Sequence, residues 1–355
     1  EPADYLIGNI INGYTVESFL SGSSGEAEIY LGKKGDETVV IKYYIPNYKP
    51  KDDVLKKIHR LNHPDIINMY EYGYHGRRFF EIMEYAAGGT LDDEDSDGKH
   101  KYLPMTEEKV SKIIEQVINA FNFFHQNGII HRDIKPSNIF CRDSDGADII
   151  VGDLGISSDY DIEGGMTRKY TSSLKWTPGY AAPEVVAVSQ GVQGAQIRIG
   201  IEMDYYALGI TIFELLTGVD PFKGRSNGQI TSDTIQSLIA KDLLSRPEAA
   251  NFSPGIKKLL RGLLVVQYKN RWGYQQVRDW LDGKDVELIE SQPLAMFTPF
   301  QLGDKTLNSI EEMVSAINAD RDEAKKLLMQ GKFDKWANKA NDKKLDENIT
   351  ALRES

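Results

Sequence analysis

The chain has 355 residues, of which 41% are apolar and 27% are charged, and its formal net charge at pH 7 is -11. This length favours two domains, or one two-lobed domain with an appended segment, over a single core. The acidic balance argues against nucleic acid as a partner, because a protein that binds the phosphate backbone presents a basic face.

The compartment is indicated by features that the sequence lacks. No apolar run approaches the roughly 20 residues of a membrane-spanning helix, and the first ten residues have neither the basic nor the apolar region of a signal peptide. The single cysteine, Cys141, cannot form an internal disulfide or a thiolate metal site, and we expect it to be a small buried hydrophobic residue. We therefore expect a soluble, cytoplasmic protein without a membrane span.

The first predicted element is a small antiparallel sheet over residues 14–45, where apolar and polar side chains alternate between glycines. Lys42 closes an apolar strand of this sheet. An amphipathic helix is predicted over 52–61, and RRFFEIMEY at 77–85 is predicted to be a strand rich in aromatic residues. The acidic segment at 91–104 is predicted to be a solvated loop.

Helices dominate the pattern after residue 105. Thr106 and Glu108 indicate a capped helix start, and Gly128 indicates where that helix ends. Three further helices are predicted by their apolar spacing, at 204–218, 255–266 and 274–281. The order of the elements therefore predicts a β-rich lobe followed by a larger, helical lobe.

A separate C-terminal segment follows the helical lobe. Pro293 and Pro299 lie in an irregular run that we interpret as a linker. Beyond it, apolar side chains recur at helical spacing, which predicts a small helical module that folds alone or docks on the rest of the chain. These apolar positions are Ile310, Met313, Ile317, Leu327, Leu328, Phe333 and Trp336.

The residues that carry chemistry lie in IIHRDIKPSNIF, at 129–140. Phosphoryl transfer needs a carboxylate that orients the attacking hydroxyl, a positive charge near the moving phosphoryl group and an oxygen ligand for Mg²⁺. Asp133, Lys135 and Asn138 meet these needs in that order, and Asp153 in VGDLG offers a second oxygen ligand. A turn capped by Asp and Asn side chains would explain either motif alone, but not both together.

These motifs resemble those of the eukaryotic-type (Hanks-type) protein kinases that also occur in bacteria. HRDIKPSN at 131–138 resembles the catalytic loop, and VVIK at 39–42 resembles the strand that carries the phosphate-binding lysine. DLG at 153–155 resembles the metal-binding motif, with leucine in place of phenylalanine, and AAPE at 181–184 resembles the end of the activation segment. The likeness covers residues 14–283.

The resemblance implies an α+β, bilobal protein kinase fold with a small β-rich N-lobe and a larger helical C-lobe. Together with the C-terminal pattern it divides the chain into five parts. These are the N-lobe at 14–83, the hinge at 84–88, the C-lobe at 89–283, the linker at 284–300 and a small α-helical module at 301–355, which we expect to bind a regulator or to dock on the kinase.

The resemblance also assigns roles in the predicted active site. Asp133 is expected to accept the proton of the substrate hydroxyl, with Lys135 and Lys42 as catalytic cations, and Asn138 and Asp153 are expected to bind Mg²⁺, with Mn²⁺ as the alternative metal. The residues expected around ATP are Gly22, Ser23, Ser24, Gly25, Val40, Lys42, Met83, Glu84, Ala86, Asn138 and Asp153. The residues expected to support the loops are Asp204, Glu184 and Arg271.

Substrate class is implied by Lys135 and Thr177, which both resemble the serine/threonine branch of the family. Arg132 precedes the catalytic aspartate, so a phosphate on the activation segment would meet a basic partner and would order that segment. A flexible polar loop without phosphorylation is the competing interpretation. The expected phosphorylation sites are Ser173 first, and Ser172, Thr171 or Thr167 as its alternatives.

Two further features depart from the family pattern. The glycine-rich loop GSSGEAEIY has Gly22, Ser24 and Ala27 where the family has three glycines, although small residues still let backbone N–H groups approach phosphates. Val54 stands where the family has a helix glutamate that pairs with the lysine. An apolar residue at that position cannot hold Lys42.

Glu81 is the candidate replacement for that glutamate. Residues i and i+2 of a strand face the same side, so if Met83 faces the rear of the nucleotide pocket, Glu81 faces it too and would lie behind Lys42. In one competing interpretation Glu81 lies at a strand edge and reaches solvent or a neighbouring arginine. In another, a shift of the helix brings an aspartate at 52–53 to Lys42.

The predicted function is that of an ATP-dependent serine/threonine protein kinase that autophosphorylates its activation segment. Its partners would be ATP and one or more protein substrates. The alternatives are a pseudokinase, which binds nucleotide only as a scaffold, and a small-molecule phosphotransferase. TPGYAAPE argues against the phosphotransferase, because in the family this segment is a feature of kinases that act on proteins.

Overall fold

The computed structural model describes most of the first 289 residues and short pieces of the remainder. The described residues are 5–22, 27–50, 52–153, 158–159, 177, 179–189, 200–222, 243–289, 300–302, 305–307, 325–327 and 329–330. The chain divides into two compact units, one of residues 1–190 with 197–288 and the other of residues 191–196 with 289–355.

Six antiparallel strands form the predicted sheet at the start of the first unit. They are β1 (Ile10–Ile11), β2 (Tyr14–Ser21), β3 (Ala27–Lys34), β4 (Glu37–Tyr44), β5 (Met69–His75) and β6 (Arg78–Glu84). Their order in the sheet is β1-β2-β3-β4-β6-β5. Gly35 and Gly76, each with a φ of 61°, permit the tight turns that precede β4 and β6. The strand that carries Lys42 therefore has a neighbour on both sides.

The two faces of this sheet bury different side chains. On one face Tyr30, Ile41 and Ile82 belong to a buried apolar core. On the other face Tyr44 packs in a cluster with Leu55 of the short helix α1 (Asp52–Ile58). Lys42 shares this second face, because it lies two residues before Tyr44 on the same strand. The described contact between α1 and this face is therefore apolar.

Helices build the second lobe, as predicted. The helices among its described residues are α2 (Glu107–Gln126), α3 (Pro183–Ser189), α4 (Glu202–Thr217), α5 (Pro254–Leu263) and α6 (Tyr274–Leu281). Oγ1 of Thr106 accepts a hydrogen bond from the backbone of Lys109 at 3.3 Å and so caps α2, and Gly128 follows its last turn with a φ of 71°. Both predicted ends of α2 are confirmed. None of the described helices combines the length and apolar character that a membrane crossing requires.

Five short strands frame the predicted catalytic segment. They are β7 (Gly89–Thr90), β8 (Ile129–Ile130), β9 (Ile139–Cys141), β10 (Ile149–Val151) and β11 (Ser158–Asp159). HRDIKPSN therefore connects β8 to β9, and Asp153 lies two residues beyond β10. Cys141 is fully buried in β9, as expected, and burial raises the pKa of its thiol to about 12.

The described part of the second unit contains two strands in addition to helical backbone of the kind that we predicted. Strands β12 (Phe300–Leu302) and β13 (Lys305–Leu307) form an antiparallel hairpin, and helical backbone is described at 325–327 and at Met329. The sequence between the strands is Gly303-Asp304, a dipeptide typical of two-residue hairpin turns. The prediction missed the hairpin because three-residue strands carry too little alternation to be recognised.

Candidate active site

Asp133 is the centre of a hydrogen-bonded cluster between β8 and β9. Nδ2 of Asn138 donates to the backbone oxygen of Asp133 at 2.7 Å and to its Oδ2 at 2.9 Å. Nζ of Lys135 lies 2.9 Å from the same Oδ2. The hydroxyl of Thr177 donates to Oδ1 of Asp133 at 2.5 Å and accepts from Nζ of Lys135 at 2.9 Å. Three predicted site residues and Thr177 thus form one cluster.

Asp204 supports the backbone of this loop from the start of α4. Its buried carboxylate accepts hydrogen bonds from the backbone N–H groups of His131 at 3.0 Å and Arg132 at 2.7 Å. Arg132 has a φ of 73°, which L-residues rarely adopt, so these bonds stabilise a strained conformation. Nε2 of His125 lies 2.8 Å from the same carboxylate. Burial alone would raise the pKa of Asp204, but the hydrogen bond with His125 contributes to a net lowering.

His125 was not singled out by the sequence. It lies in the last turn of α2 and meets Asp204 across 79 residues of chain. No local sequence pattern distinguishes a buried histidine with a structural role at this position from a histidine on the surface. Only the resemblance pointed to Asp204, and nothing in the sequence pointed to its partner.

Asp153 is joined to the loop between β8 and β9 through its neighbour Gly152. The N–H of Gly152 donates to the backbone oxygen of Asn138 at 3.0 Å, and the backbone oxygen of Gly152 lies 2.8 Å from Nε2 of His131. Oδ1 of Asp153 lies 2.9 Å from Nζ of Lys42. The positive charge of Lys42 lowers the pKa of Asp153, against the opposing effect of burial, so this carboxylate is ionised at neutral pH.

Lys42 faces Glu81 across the sheet. The two residues are register partners between β4 and β6, and Glu81 is only 6% exposed. Burial lowers the pKa of Lys42, but the charges of Asp153 and Glu81 raise it overall, and burial raises the pKa of Glu81. Within the described part of the chain, the ion pair of Lys42 is the one with Asp153. A direct pair between Lys42 and Glu81 stays a prediction.

Apolar residues from both lobes meet at the predicted adenine site. Met83 and Ala86 belong to one cluster with Phe140 of β9 and Ile150 of β10. Val40 is the register partner of Met83. The sequence did not single out Phe140 or Ile150, because an apolar residue on a strand is first interpreted as core.

The side chain of Glu84 has partners of its own. Its Oε1 accepts from Nε of Arg142 at 2.6 Å, and its Oε2 accepts from Nδ2 of Asn68 at 2.8 Å. Burial would raise the pKa of Glu84, but the hydrogen bonds and charge of Arg142 lower it. The prediction for this residue concerned its backbone, whose N–H donates to the backbone oxygen of Asn68 at 2.9 Å.

Arg271 and Glu184 form the predicted supporting pair. Nη1 and Nη2 of Arg271 donate to the two carboxylate oxygens of Glu184 at 2.7 Å and 3.0 Å. The same guanidinium donates to the backbone oxygens of Glu202 at 2.8 Å and Val265 at 3.0 Å. Its side chain is completely buried, so it joins α3, α4 and the end of α5 in one network.

The oxygen atoms of Asn138 and Asp153 suit a hard divalent cation. Because Nδ2 of Asn138 donates to Asp133, the amide oxygen of Asn138 is the atom left for a ligand. The carboxylate of Asp153 is ionised. One amide and one carboxylate leave coordination positions to phosphate oxygens and water, which is how Mg²⁺ is usually bound beside nucleotides.

Some predicted residues lie outside the described part of the chain. They are Ser23, Ser24 and Gly25 of the glycine-rich loop and Thr167, Thr171, Ser172 and Ser173 of the activation segment. Gly22 is described one residue beyond β2. The side chains at 52–54, which include the competing aspartates, also lie outside the described part.

Comparisons with known proteins add an independent observation. A family model described as protein kinase domain matches residues 15–280. Serine/threonine-protein kinase PrkC of Bacillus subtilis (strain 168) is 29% identical over 338 residues, which cover 90% of this chain and 46% of PrkC. The probable serine/threonine-protein kinase PknB of Lactococcus lactis is 28% identical over 254 residues, which cover 69% of this chain and 37% of PknB. Serine/threonine-protein kinase PknJ of Mycobacterium tuberculosis is 31% identical over 226 residues, which cover 61% of this chain and 36% of PknJ. The chain thus spans less than half the length of these relatives.

Proposed function

The chain belongs to the protein kinase family, and from this we propose that it is an ATP-dependent serine/threonine kinase that transfers the γ-phosphate to hydroxyl groups of a protein. The observation that carries the proposal is the cluster in which Asp133 contacts Lys135, Asn138 and the hydroxyl of Thr177. A carboxylate held by a lysine and an amide, with a hydroxyl already donating to it, matches the needs of phosphoryl transfer to an alcohol.

Asp133 is suited to orient the attacking hydroxyl and to accept its proton. Its Oδ1 accepts a hydrogen bond from an alcohol, that of Thr177, at 2.5 Å. In the proposed reaction the substrate oxygen forms a bond to the γ-phosphorus, the bond from that phosphorus to the β–γ bridging oxygen breaks, and ADP leaves. The proton of the substrate hydroxyl passes to Asp133.

Positive charges around this carboxylate would stabilise the moving phosphoryl group. Lys135 lies 2.9 Å from Asp133, so its charge is held beside the point of transfer. Lys42 would hold the α and β phosphates of ATP. Asn138 and Asp153 would bind Mg²⁺ or Mn²⁺, which neutralises phosphate charge when bound.

The serine/threonine class is supported by a contact between the two residues that resemble that branch. Nζ of Lys135 and Oγ1 of Thr177 are 2.9 Å apart, and both contact Asp133. Thr177 therefore connects the end of the activation segment to the catalytic loop.

We propose in addition that the protein acts in a reducing, cytoplasmic compartment, and that the segment at 301–355 binds a regulator or docks on the kinase.

The test is transfer of labelled phosphate from ATP to a generic protein substrate with Mg²⁺. We expect transfer by the wild type and a loss of at least about 100-fold in Asp133→Asn, which still binds Mg-ATP. Asp279→Asn is the matched control, because this carboxylate lies on α6, pairs with Lys284 just beyond that helix and touches no reacting group. Binding of Mg-ATP without transfer by the wild type would instead support the pseudokinase. Full activity of Asp133→Asn would remove Asp133 from the mechanism.

A further inference from the structure

Glu81 is a buried carboxylate placed directly opposite Lys42 in the sheet. The two residues are register partners, and such partners on an antiparallel pair have Cβ atoms about 5 Å apart on the same face. Glu81 is only 6% exposed. The ring of Tyr44, on the same face, lies 5.5 Å from Nζ of Lys42. An acid, a lysine and a tyrosine therefore share one buried site behind the candidate active site.

A carboxylate in this position is costly unless a cation or donor serves it. Removing an ion from water is energetically unfavourable, and a nearby opposite charge offsets part of that cost. The positive charge that acts most strongly on Glu81 is that of Lys42. Burial raises the pKa of Tyr44, and the charge of Glu81 and a side-chain hydrogen bond with it add to this effect. Apolar packing alone does not explain a glutamate here.

Asp153, which pairs with Lys42 in this structure, is expected to have a second role in binding the cation. Oδ1 of Asp153 lies 2.9 Å from Nζ of Lys42, and Asp153 is also a proposed cation ligand. When its carboxylate binds a cation beside ATP, Lys42 has phosphates in front of it and requires an acid behind it. Helix α1 presents the apolar Leu55 to this face, and Val54 stands where the family has its glutamate. Glu81 is the carboxylate that the sheet itself supplies.

We propose that Glu81 is a positioning residue that receives Lys42 from Asp153 when nucleotide and cation bind. It thereby performs the task of the helix glutamate that this chain lacks. The inference rests on the proposed function, because it assumes that Lys42 holds the phosphates of ATP. One ion pair replaces another, and no proton or covalent bond changes in the exchange.

A double-mutant cycle tests this role. The variants are Glu81→Gln, Lys42→Met and the double variant, with Glu28→Gln as the matched control. Glu28 is a carboxylate of the same sheet, but its partner is Arg78, at 2.7 Å. Three quantities are measured for each protein. They are the melting temperature without nucleotide, the affinity for a non-hydrolysable ATP analogue with Mg²⁺ by calorimetry, and kcat/KM for phosphate transfer.

We expect Glu81→Gln and Lys42→Met to weaken binding of the analogue by similar factors and to lower kcat/KM by about 100-fold each. The analogue affinity and kcat/KM of the double variant should lie within about threefold of those of the weaker single variant, since the effects of residues that act as a unit are not additive. The melting temperature of Glu81→Gln without nucleotide should be equal to or above that of the wild type, because a costly buried charge has been removed. Glu28→Gln should bind the analogue as the wild type does.

Three results would overturn the assignment. The first is wild-type binding and transfer in Glu81→Gln, and the second is losses that multiply in the double variant. The third is a structure with the bound analogue in which Lys42 pairs with an aspartate at 52–53 and Glu81 does not contact it. If the wild type binds the analogue but transfers no phosphate, the proposed function fails and the binding cycle still decides the role of Glu81. If the wild type binds no nucleotide, both fail.

Discussion

Asp153 is the residue on which two expectations meet, because it is the ion-pair partner of Lys42 and a proposed cation ligand. Asp153→Ala should therefore lower the affinity for Mg-ATP by on the order of tenfold or more, since even the outer partners of a metal ligand are worth about that much. Thermal stabilisation by Mg-ATP provides the measurement. With EDTA present, the wild type and the variant should respond to ATP alike. Equal Mg²⁺-dependent stabilisation of the two proteins would contradict the metal assignment.

Asp204 provides a prediction of pH dependence. Its hydrogen bonds lower its pKa below the usual 3.8, although burial opposes this. A group whose pKa is lower in the folded protein stabilises the fold above its unfolded pKa, and this contribution is lost as the pH falls through the folded value. The wild type should thus exceed Asp204→Asn in free energy of unfolding by about 2 kcal/mol or more at neutral pH.

Urea unfolding at a series of pH values measures this difference. It should stay constant down to about pH 4 and shrink below it, because both proteins then carry a neutral side chain at this position. A difference that is absent at neutral pH, or that grows as the pH falls, would contradict the account of Asp204.

At the scale of single residues, the family resemblance identified Asp204 from the sequence. It did not identify His125, which becomes the neighbour of Asp204 only after folding.

Arg271 acts at the scale of elements, because its guanidinium contacts α3 through Glu184 and reaches the backbone beside α4 and α5. Lysine cannot form two parallel bonds to a carboxylate, so Arg271→Lys should lower the free energy of unfolding by about 3 kcal/mol. Arg278→Lys is the control. Its ion pairs with Glu115 and Asp282 are partly exposed, so it should cost about 1 kcal/mol or less. Equal costs for the two substitutions in urea unfolding would contradict the structural role of Arg271.

The elements differ in how far the sequence could predict them. Helix α2 was predicted with both ends, because Thr106 caps its start and Gly128 takes up a left-handed conformation beyond its end. The hairpin of β12 and β13 was missed, because each strand has only three residues and its pairing depends on the partner strand. Strong local signals therefore predicted the long elements, and tertiary pairing determined the short ones.

At the scale of the whole molecule, the motifs and their spacing predicted a two-lobed kinase, and the family match agrees. The ion pair between Lys42 and Asp153 was not predicted, because it joins residues 111 positions apart and depends on how the sheet meets the loop after β10. Alternation along the strand predicted that Glu81 shares the face of Met83, and in the structure Glu81 is the register partner of Lys42. Alternation along a strand can be determined from sequence. Which of two nearby acids, Asp153 or Glu81, pairs with Lys42 cannot.

Autophosphorylation is the prediction that concerns the molecule as a working unit. Active protein should carry phosphate within residues 167–173, with Ser173 as the first candidate, because Arg132, next to the proposed catalytic residue Asp133, would pair with that phosphate. Mass spectrometry of wild-type protein incubated with ATP and Mg²⁺ measures this, and Asp133→Asn is the control that should stay unmodified. An active wild type with that whole stretch unmodified would contradict the prediction.

The central claim is that this chain transfers phosphate to protein hydroxyls through Asp133. Its most direct test is to map the modified residues of a protein substrate by mass spectrometry after incubation with ATP, Mg²⁺ and either the wild type or Asp133→Asn. We predict phosphate on serine or threonine with the wild type and an unmodified substrate with the variant. An unmodified substrate with a wild type that binds Mg-ATP, or equal modification by both proteins, would contradict the account.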